Sequence, residues 1–478
     1  MTTTTRPTPT SRLRFGTSRT DITPPVGIYH RMWGAASHDK AAGIHRPLFA
    51  DALALLPISA DGPGLLRLLI DLVGLSKNEL DVLKQIAADA SAIPVENVVV
   101  TFSHTHAAGW MTPDRVPLPG GDLIPGYLAD LNTAVARISR QAVENVQEAV
   151  ISYATGRCGM AANRDCWDAD AGIFVCGYNQ STPADDTLLV GRVTDVDGKI
   201  LATLVNYACH PTTLAWDNQL ISPDYVGSLR ETVEDATGAV CLFMLGVCGE
   251  LGPTDGFVGD TAVADRNGRE VAYAALSALS SLGPPTADFA YVGPVISGAT
   301  LGAWAFAPQD DARITQSSRM GGSGFAVQLP TRTAPDPVAL SGDLEDWETR
   351  WQEALDAGKS REAADARAMA ERARRWLSRL HHIPASGTAP FHFAIWRLGD
   401  ALWVTCGGEP YSLLQTELRR RFPDETIFVS PLSGDMHLAY LLPKDRYGLG
   451  LYQEEPSILA PGCLEKLIDA IAEKIEAE

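Results

Sequence analysis

Apolar runs alternate with amphipathic helical stretches in three parts of the chain, and the alternation predicts an α/β fold. In the first part, residues 65–73 read as a buried strand. Ser76-x-x-Glu79 then has the form of a capping box, opening a helix with Leu80, Leu83 and Ile86 on one face. Residues 98–102 follow as a second strand that runs directly into Ser103-His104-Thr105-His106, completing a βαβ unit. In the second part, a strand at 200–208 ends in Cys209-His210-Pro211. A helix at 225–236 and a strand at 239–245 come next, the latter ending in Gly246-Val247-Cys248-Gly249-Glu250. In the third, a strand at 401–405 leads to Gly407-Gly408-Glu409, and Pro410 suits the first turn of a helix at 411–421. A strand at 426–429 then precedes a loop with Asp435, His437 and Tyr440.

The expected fold class is therefore α/β, with mixed or parallel sheets, helices on their faces and a site at the strand carboxyl ends. In open α/β sheets that is where ligands bind. Residues 346–380 are strongly helical, with Trp347, Trp351 and Leu355 at fourfold spacing and a break at Gly358 and Ser360. They predict a helical hairpin inserted at 340–382, which could pack on the body or form a homodimer interface. Residues 315–337 are rich in Gly, Ser and Pro and read as loop, whereas 464–475 form an amphipathic final helix.

Composition adds limits. The 478 residues are 45% hydrophobic and 20% charged, which is ordinary globular usage. A net charge of −19 argues against nucleic acid and anionic membranes as partners and says nothing of the substrate; a small-molecule substrate is expected on other grounds. The eight cysteines lack C-x-x-C spacing, so free buried thiols in a reducing compartment are expected. The Thr/Pro-rich start has no signal-peptide core and no run approaches a membrane span, so a cytoplasmic location is expected. Residues 1–14 read as a disordered leader and 15–478 as one catalytic domain.

Ten histidines occur, and single ones carry little meaning. His-x-His at a strand end differs, because a period of two puts both imidazoles on one face, where they can reach one cation. Ser103 and Thr105 could fix the ring tautomers. His104, His106, His210 and Glu409, on three separate strand ends, favour zinc: two imidazoles and a carboxylate leave a position open for water. His30, His38 and His45 read as loop histidines. Asp71 suits either a carboxylate behind a ligand histidine or a helix cap. Asn163 and Arg164 suit either gripping a carbonyl or carboxylate or pinning a loop. Trp33 and Trp110 suit either pocket walls or core.

At these residues the chain resembles the neutral (non-lysosomal) ceramidase family of zinc amidases, over roughly residues 16–462. The markers, in order, are Asp21-Ile22-Thr23-Pro24, Gly43-Ile44-His45-Arg46, Ser103-His104-Thr105-His106, Asn163-Arg164, His210-Pro211 and Ile221-Ser222-Pro223-Asp224. Gly408-Glu409-Pro410 and Tyr440-Leu441-Leu442-Pro443 follow, with Tyr447 and Tyr452. The resemblance implies that His104, His210, Glu409 and Tyr440 bind one Zn²⁺, with His106 beside it to contact the tetrahedral intermediate or shuttle a proton. It implies attack of zinc-bound hydroxide on an amide carbonyl. Two departures stand out. The family's Gly-Asp-x-Ser-Pro loop becomes Gly249-Glu250-Leu251-Gly252-Pro253, so Gly252 replaces a serine that lies beside the substrate amide. Glu250 or Thr254 is the expected compensation. The chain also ends without the family's C-terminal immunoglobulin-like domain.

The resulting expectation is a zinc-dependent hydrolase of a small soluble amide: an N-acyl compound, a lactam or a carbamate. His106 and Glu250 are the catalytic candidates, and Asn163, Arg164, Trp110 and Gly252 the substrate-binding ones. A metal-dependent esterase or lactonase is the alternative, with a true ceramidase and a non-catalytic binding protein ranked below.

Overall fold

The mainly apolar runs are strands covered on both faces. Leu65–Ile70, Val98–Phe102 and Ala401–Cys406 are buried at every position. The computed structural model, which describes residues 4–59, 62–434 and 439–477, shows what covers them. An eight-stranded sheet runs Val240–Leu245, Ile200–Tyr207, Thr187–Thr194, Gln147–Arg157, Thr10–Asp21, Phe49–Leu56, Leu65–Ile70, Val98–Phe102. Only its two outer pairs are parallel, one at each end; the rest is antiparallel. A four-stranded sheet runs Met320–Pro330, Thr388–Leu398, Ala401–Cys406, Thr426–Ser430, with its last pair parallel.

Side-chain alternation sorts these strands into layers. Leu66, Leu68 and Ile70 face helices Lys77–Ser91, Ile124–Glu144, Tyr225–Thr237 and Thr261–Ser280. Leu65 and Leu69 face the opposite way, onto Trp396, Trp403 and Phe428 of the smaller sheet. The outer face of that sheet, with Phe393, Ile395 and Val404, is covered by Leu414, Leu418, Leu467 and Ile471 of the last two helices. The layer order is helices, sheet, sheet, helices. The large sheet also curls until its two edge strands, Val98–Phe102 and Val240–Leu245, lie against each other. The carboxyl ends of strands far apart in the sheet order therefore meet.

The structure corrects several expectations. The leader is not disordered where it is described: Thr5–Arg6 pairs with Ala287–Ile296, and Thr10–Asp21 is a central strand with Thr10, Ser11 and Leu13 buried. Met320–Pro330 is a strand, not loop; the buried partners along Thr388–Leu398 supply the order that its glycines do not. Ser76 precedes the helix in extended conformation but makes no side-chain capping bond. The 340–382 stretch holds helices Pro337–Asp356 and Ser360–Leu380, joined through Gly358 at φ +69° and packed on each other through alanines. Its tryptophans are covered: Arg350 lies over Trp347 and Arg367 over Trp351. All eight cysteines are free thiols, and among the described residues no helix is long and apolar enough to cross a membrane.

Candidate active site

Sheet curvature brings His104 and His210 together. His104 leaves the end of strand Val98–Phe102 with φ +66°, a backbone conformation that costs a non-glycine residue energy and that the surrounding fold must impose. Its Nδ1 donates to the carbonyl of Val73 at 2.6 Å. His210, just beyond Ile200–Tyr207, donates from Nδ1 to the carbonyl of Cys248 at 2.6 Å. A carbonyl only accepts, so each ring has a proton on Nδ1 and turns Nε2 towards the other. Ser103 and Thr105 do not set these tautomers: Thr105 bonds the Ser222 carbonyl and the Ala107 amide, and the buried Ser103 hydroxyl has no partner.

Glu409 completes the group. Its Oε2 lies 2.9 Å from His210 Nε2 and 3.3 Å from His104 Nε2. The two-residue strand that carries it, Glu409–Pro410, pairs in parallel with Tyr440–Leu441. Gly249 packs so closely behind that a Cβ there would stand 2.7 Å from the Glu409 and Pro410 carbonyl oxygens. Burial alone would raise the Glu409 carboxyl, but His104 and His210 hold it well below the usual carboxylate range. Burial, with Arg164 beside it, lowers His210 to about 4, so its imidazole is neutral. Three metal-ligand-type atoms thus converge on one point. Two imidazoles with one carboxylate are a donor set that fits a divalent metal such as zinc.

Around this cluster the expected residues separate. His106 Nε2 is 3.4 Å from His104 Nε2; burial, then His104 and His210, hold its pKa well below the ordinary histidine value. Tyr440 stacks on His210 with ring centroids 6.3 Å apart, and its hydroxyl accepts from Arg164 Nη2 at 3.2 Å. Burial pushes that hydroxyl well above the ordinary tyrosine value, with Glu409 adding to the effect. Burial works against the Arg164 charge, but Tyr440, Cys176 and Glu409 more than offset it. Arg164 therefore belongs to the site, whereas Asn163 pins the loop by accepting from Asp165 N. Asp71 pairs with Arg230 and accepts from Phe49 N, neither backing a ligand nor capping a helix.

Glu250 is a correction. Its carboxylate accepts from Ser412 N at 2.8 and 3.0 Å and from the Ser412 hydroxyl, at the start of helix Leu413–Arg421. Helix N-termini hold unsatisfied amides, and that is where this carboxylate is used. The tryptophan against His106 is Trp33, with centroids 5.3 Å apart; Trp110 contributes its carbonyl to a turn with Thr112 N. Asp435 and His437 lie outside the described residues.

Sequence reasoning missed two rings. Trp216 and Phe257 stack at 6.5 Å, and both meet Trp33 edge-on, forming an apolar wall beside His106. Their signal was adjacency: Trp216 is six positions past His210 and Phe257 five past Gly252. Phe257 also has φ +58°.

Residues 13–248 match the sequence model of the neutral/alkaline non-lysosomal ceramidase family, N-terminal part. No curated protein matches the chain in sequence. Among solved structures, the neutral ceramidase from Pseudomonas aeruginosa superposes with a TM-score of 0.64 at 16% identity, covering 97% of this chain and 73% of that one. A ceramidase complexed with C2 gives a TM-score of 0.63 at 16% identity, over 98% of this chain and 76% of that one. The matched segment contains His104, His106, Arg164 and His210, while Glu409 and Tyr440 join them through the shared fold. In sequence the chain is thus similar to the neutral/alkaline non-lysosomal ceramidases over residues 13–248, and in fold it is similar to solved ceramidases over nearly its whole length.

Proposed function

We propose that this chain is a zinc-dependent amidase that hydrolyses the amide bond of an N-acyl compound. One observation carries the reading: His104 Nε2, His210 Nε2 and Glu409 Oε2 converge with both Nδ1 protons committed to backbone carbonyls. His104, His210 and Glu409 would hold the zinc, with the Tyr440 oxygen beside them. A bound Zn²⁺ supplies a Lewis acid and a water that ionises near neutral pH.

The remaining groups are the chain's own contribution. His106, neutral and half-buried, is placed to accept a proton at Nε2 and return it to the leaving nitrogen. Arg164, held charged at the Tyr440 hydroxyl, offers donors to the carbonyl oxygen. Trp33, Trp216 and Phe257 suit an apolar acyl chain and exclude water beside His106. Similarity to the ceramidase family model and this wall support a long-chain lipid amide, ceramide included, against the expectation of a purely small and soluble one.

Dialysis against a chelator, with metal analysis before and after, tests the reading on a panel of N-acyl amides. One zinc per chain, loss of turnover on its removal and recovery on its return are expected. Full turnover by metal-free protein would end it. Gly252, in place of the family serine, also suits an ester or lactone, whose better leaving group needs less assistance. Matched amide and ester substrates of one acyl chain separate the two.

A further inference from the structure

The position of the replaced serine is not filled by Glu250 or Thr254, yet it has polar neighbours. Gly252 sits in the short strand Leu251–Pro253, paired with Ala161–Asn163. A Cβ built there would stand 3.7 Å from Thr212 Oγ1 and 3.7 Å from Arg164 Cδ, ordinary contact without a clash. Thr212 is fully buried and its hydroxyl has no partner. Arg164 is 4% exposed and its Nε–H, next to that Cδ, has none either. Buried donors left unpaired are costly, and native structures keep few of them without a use.

Both donors are tied to the metal-type cluster. Thr212 N donates to the His210 carbonyl at 2.8 Å, and the Thr212 carbonyl accepts from Phe257 N at 3.1 Å. The residue is thus held between the second histidine and the apolar wall. Arg164 Nη2 reaches His210 Nε2 at 3.5 Å and Tyr440 Oη at 3.2 Å. Gly252 thus adjoins the same arginine that borders the cluster, and two unpaired donors flank it, one of them on a permanent cation.

We propose that Thr212 Oγ1 and Arg164 Nε donate to an acceptor on the substrate, seated where Gly252 leaves room. A carboxylate next to the scissile amide is the group that fits, so the substrate class is an N-acyl amino acid. A guanidinium edge and a hydroxyl together match two carboxylate oxygens. The position of that carboxylate relative to the scissile bond rests on the amidase reading; the binding preference itself does not.

The test titrates zinc-loaded protein calorimetrically with two probes of one chain length, N-octanoylglycine and N-octanoylglycinamide. Wild type should bind the carboxylate at least about tenfold more tightly. Thr212→Val keeps the volume and removes the hydroxyl; it should erase most of that preference with zinc content and Tm unchanged, and Thr212→Ser should restore it. Gly252→Ser, which the free space accommodates, should lower the preference independently by filling the seat. Equal affinity of wild type for both probes, as a seat occupied only by water would give, overturns the proposal. So does an unchanged preference in Thr212→Val or, should that variant not fold, in Gly252→Ser. Selective binding of the carboxylate probe without turnover of either compound would support this assignment and count against the amidase.

Discussion

Replacing Glu250 by Gln tests the assignment of that carboxylate to the helix start, and its size follows from the structure. Burial pushes the Glu250 carboxyl from 4.5 to about 7, against the bonds from Ser412 that lower it. A folded-state pKa above the unfolded one means that the folded protein binds the proton more tightly. Stability from this group is therefore fully present below about pH 4.5 and is lost as pH rises through 7. At about 1.4 kcal/mol per unit, the loss amounts to roughly 3 kcal/mol, most of it between pH 5 and 8. Glutamine has no proton to lose, and its carbonyl oxygen still accepts from Ser412 N. The Gln variant should match wild type at pH 5 and exceed it at pH 8. With an unfolding entropy near 1 kcal/mol per K for a chain of this size, the gain is about 3 °C in Tm. Thermal unfolding across pH 5–8, read as the difference between the two proteins, cancels every other titrating group. Parallel curves would refute the reasoning. A hundredfold loss of turnover in a stable Gln variant would do the same, by returning Glu250 to the chemistry.

Three further outcomes are expected. Gly249→Ala drives a Cβ into the Glu409 and Pro410 carbonyls, so metal analysis should show at least tenfold weaker zinc binding in a protein that still folds. Trp33→Ala removes the ring against His106; kcat/KM for a long-chain amide should fall about tenfold while an acetyl amide is turned over as before. Deleting residues 1–14 removes the buried Leu13 and part of a central strand, and it should cost soluble expression, whereas a free leader could be removed without effect.

The parts of this protein legible in sequence were those with local causes. Strand ends carrying His104, His210 and Glu409 could be read because apolar runs stop where the ligands begin. The curl of the large sheet could not, since it depends on contact between edge strands that lie about 140 positions apart. Tautomer control went to the Val73 and Cys248 carbonyls, and backbone groups leave no mark on a sequence. Tyr440 was reached only through resemblance, because its place beside Glu409 is a pairing of two-residue strands too short to show periodicity. Residues 10–14, the start of strand Thr10–Asp21, looked like part of a leader because Thr10, Ser11, Arg12 and Arg14 are polar; the strand is held by neighbours on both sides.

The closeness of Glu409 to His210, across 199 positions, sets an order of events during synthesis. A ribosome must release three strands of the second sheet before Glu409 exists, and that sheet must dock on the first before the three atoms meet. Loop closure over such distances is paid for by packed cores, not by one ion. A metal held by His104, His210 and Glu409 would therefore be captured late, by a chain already folded, and the apoprotein should accumulate intact when the metal is scarce.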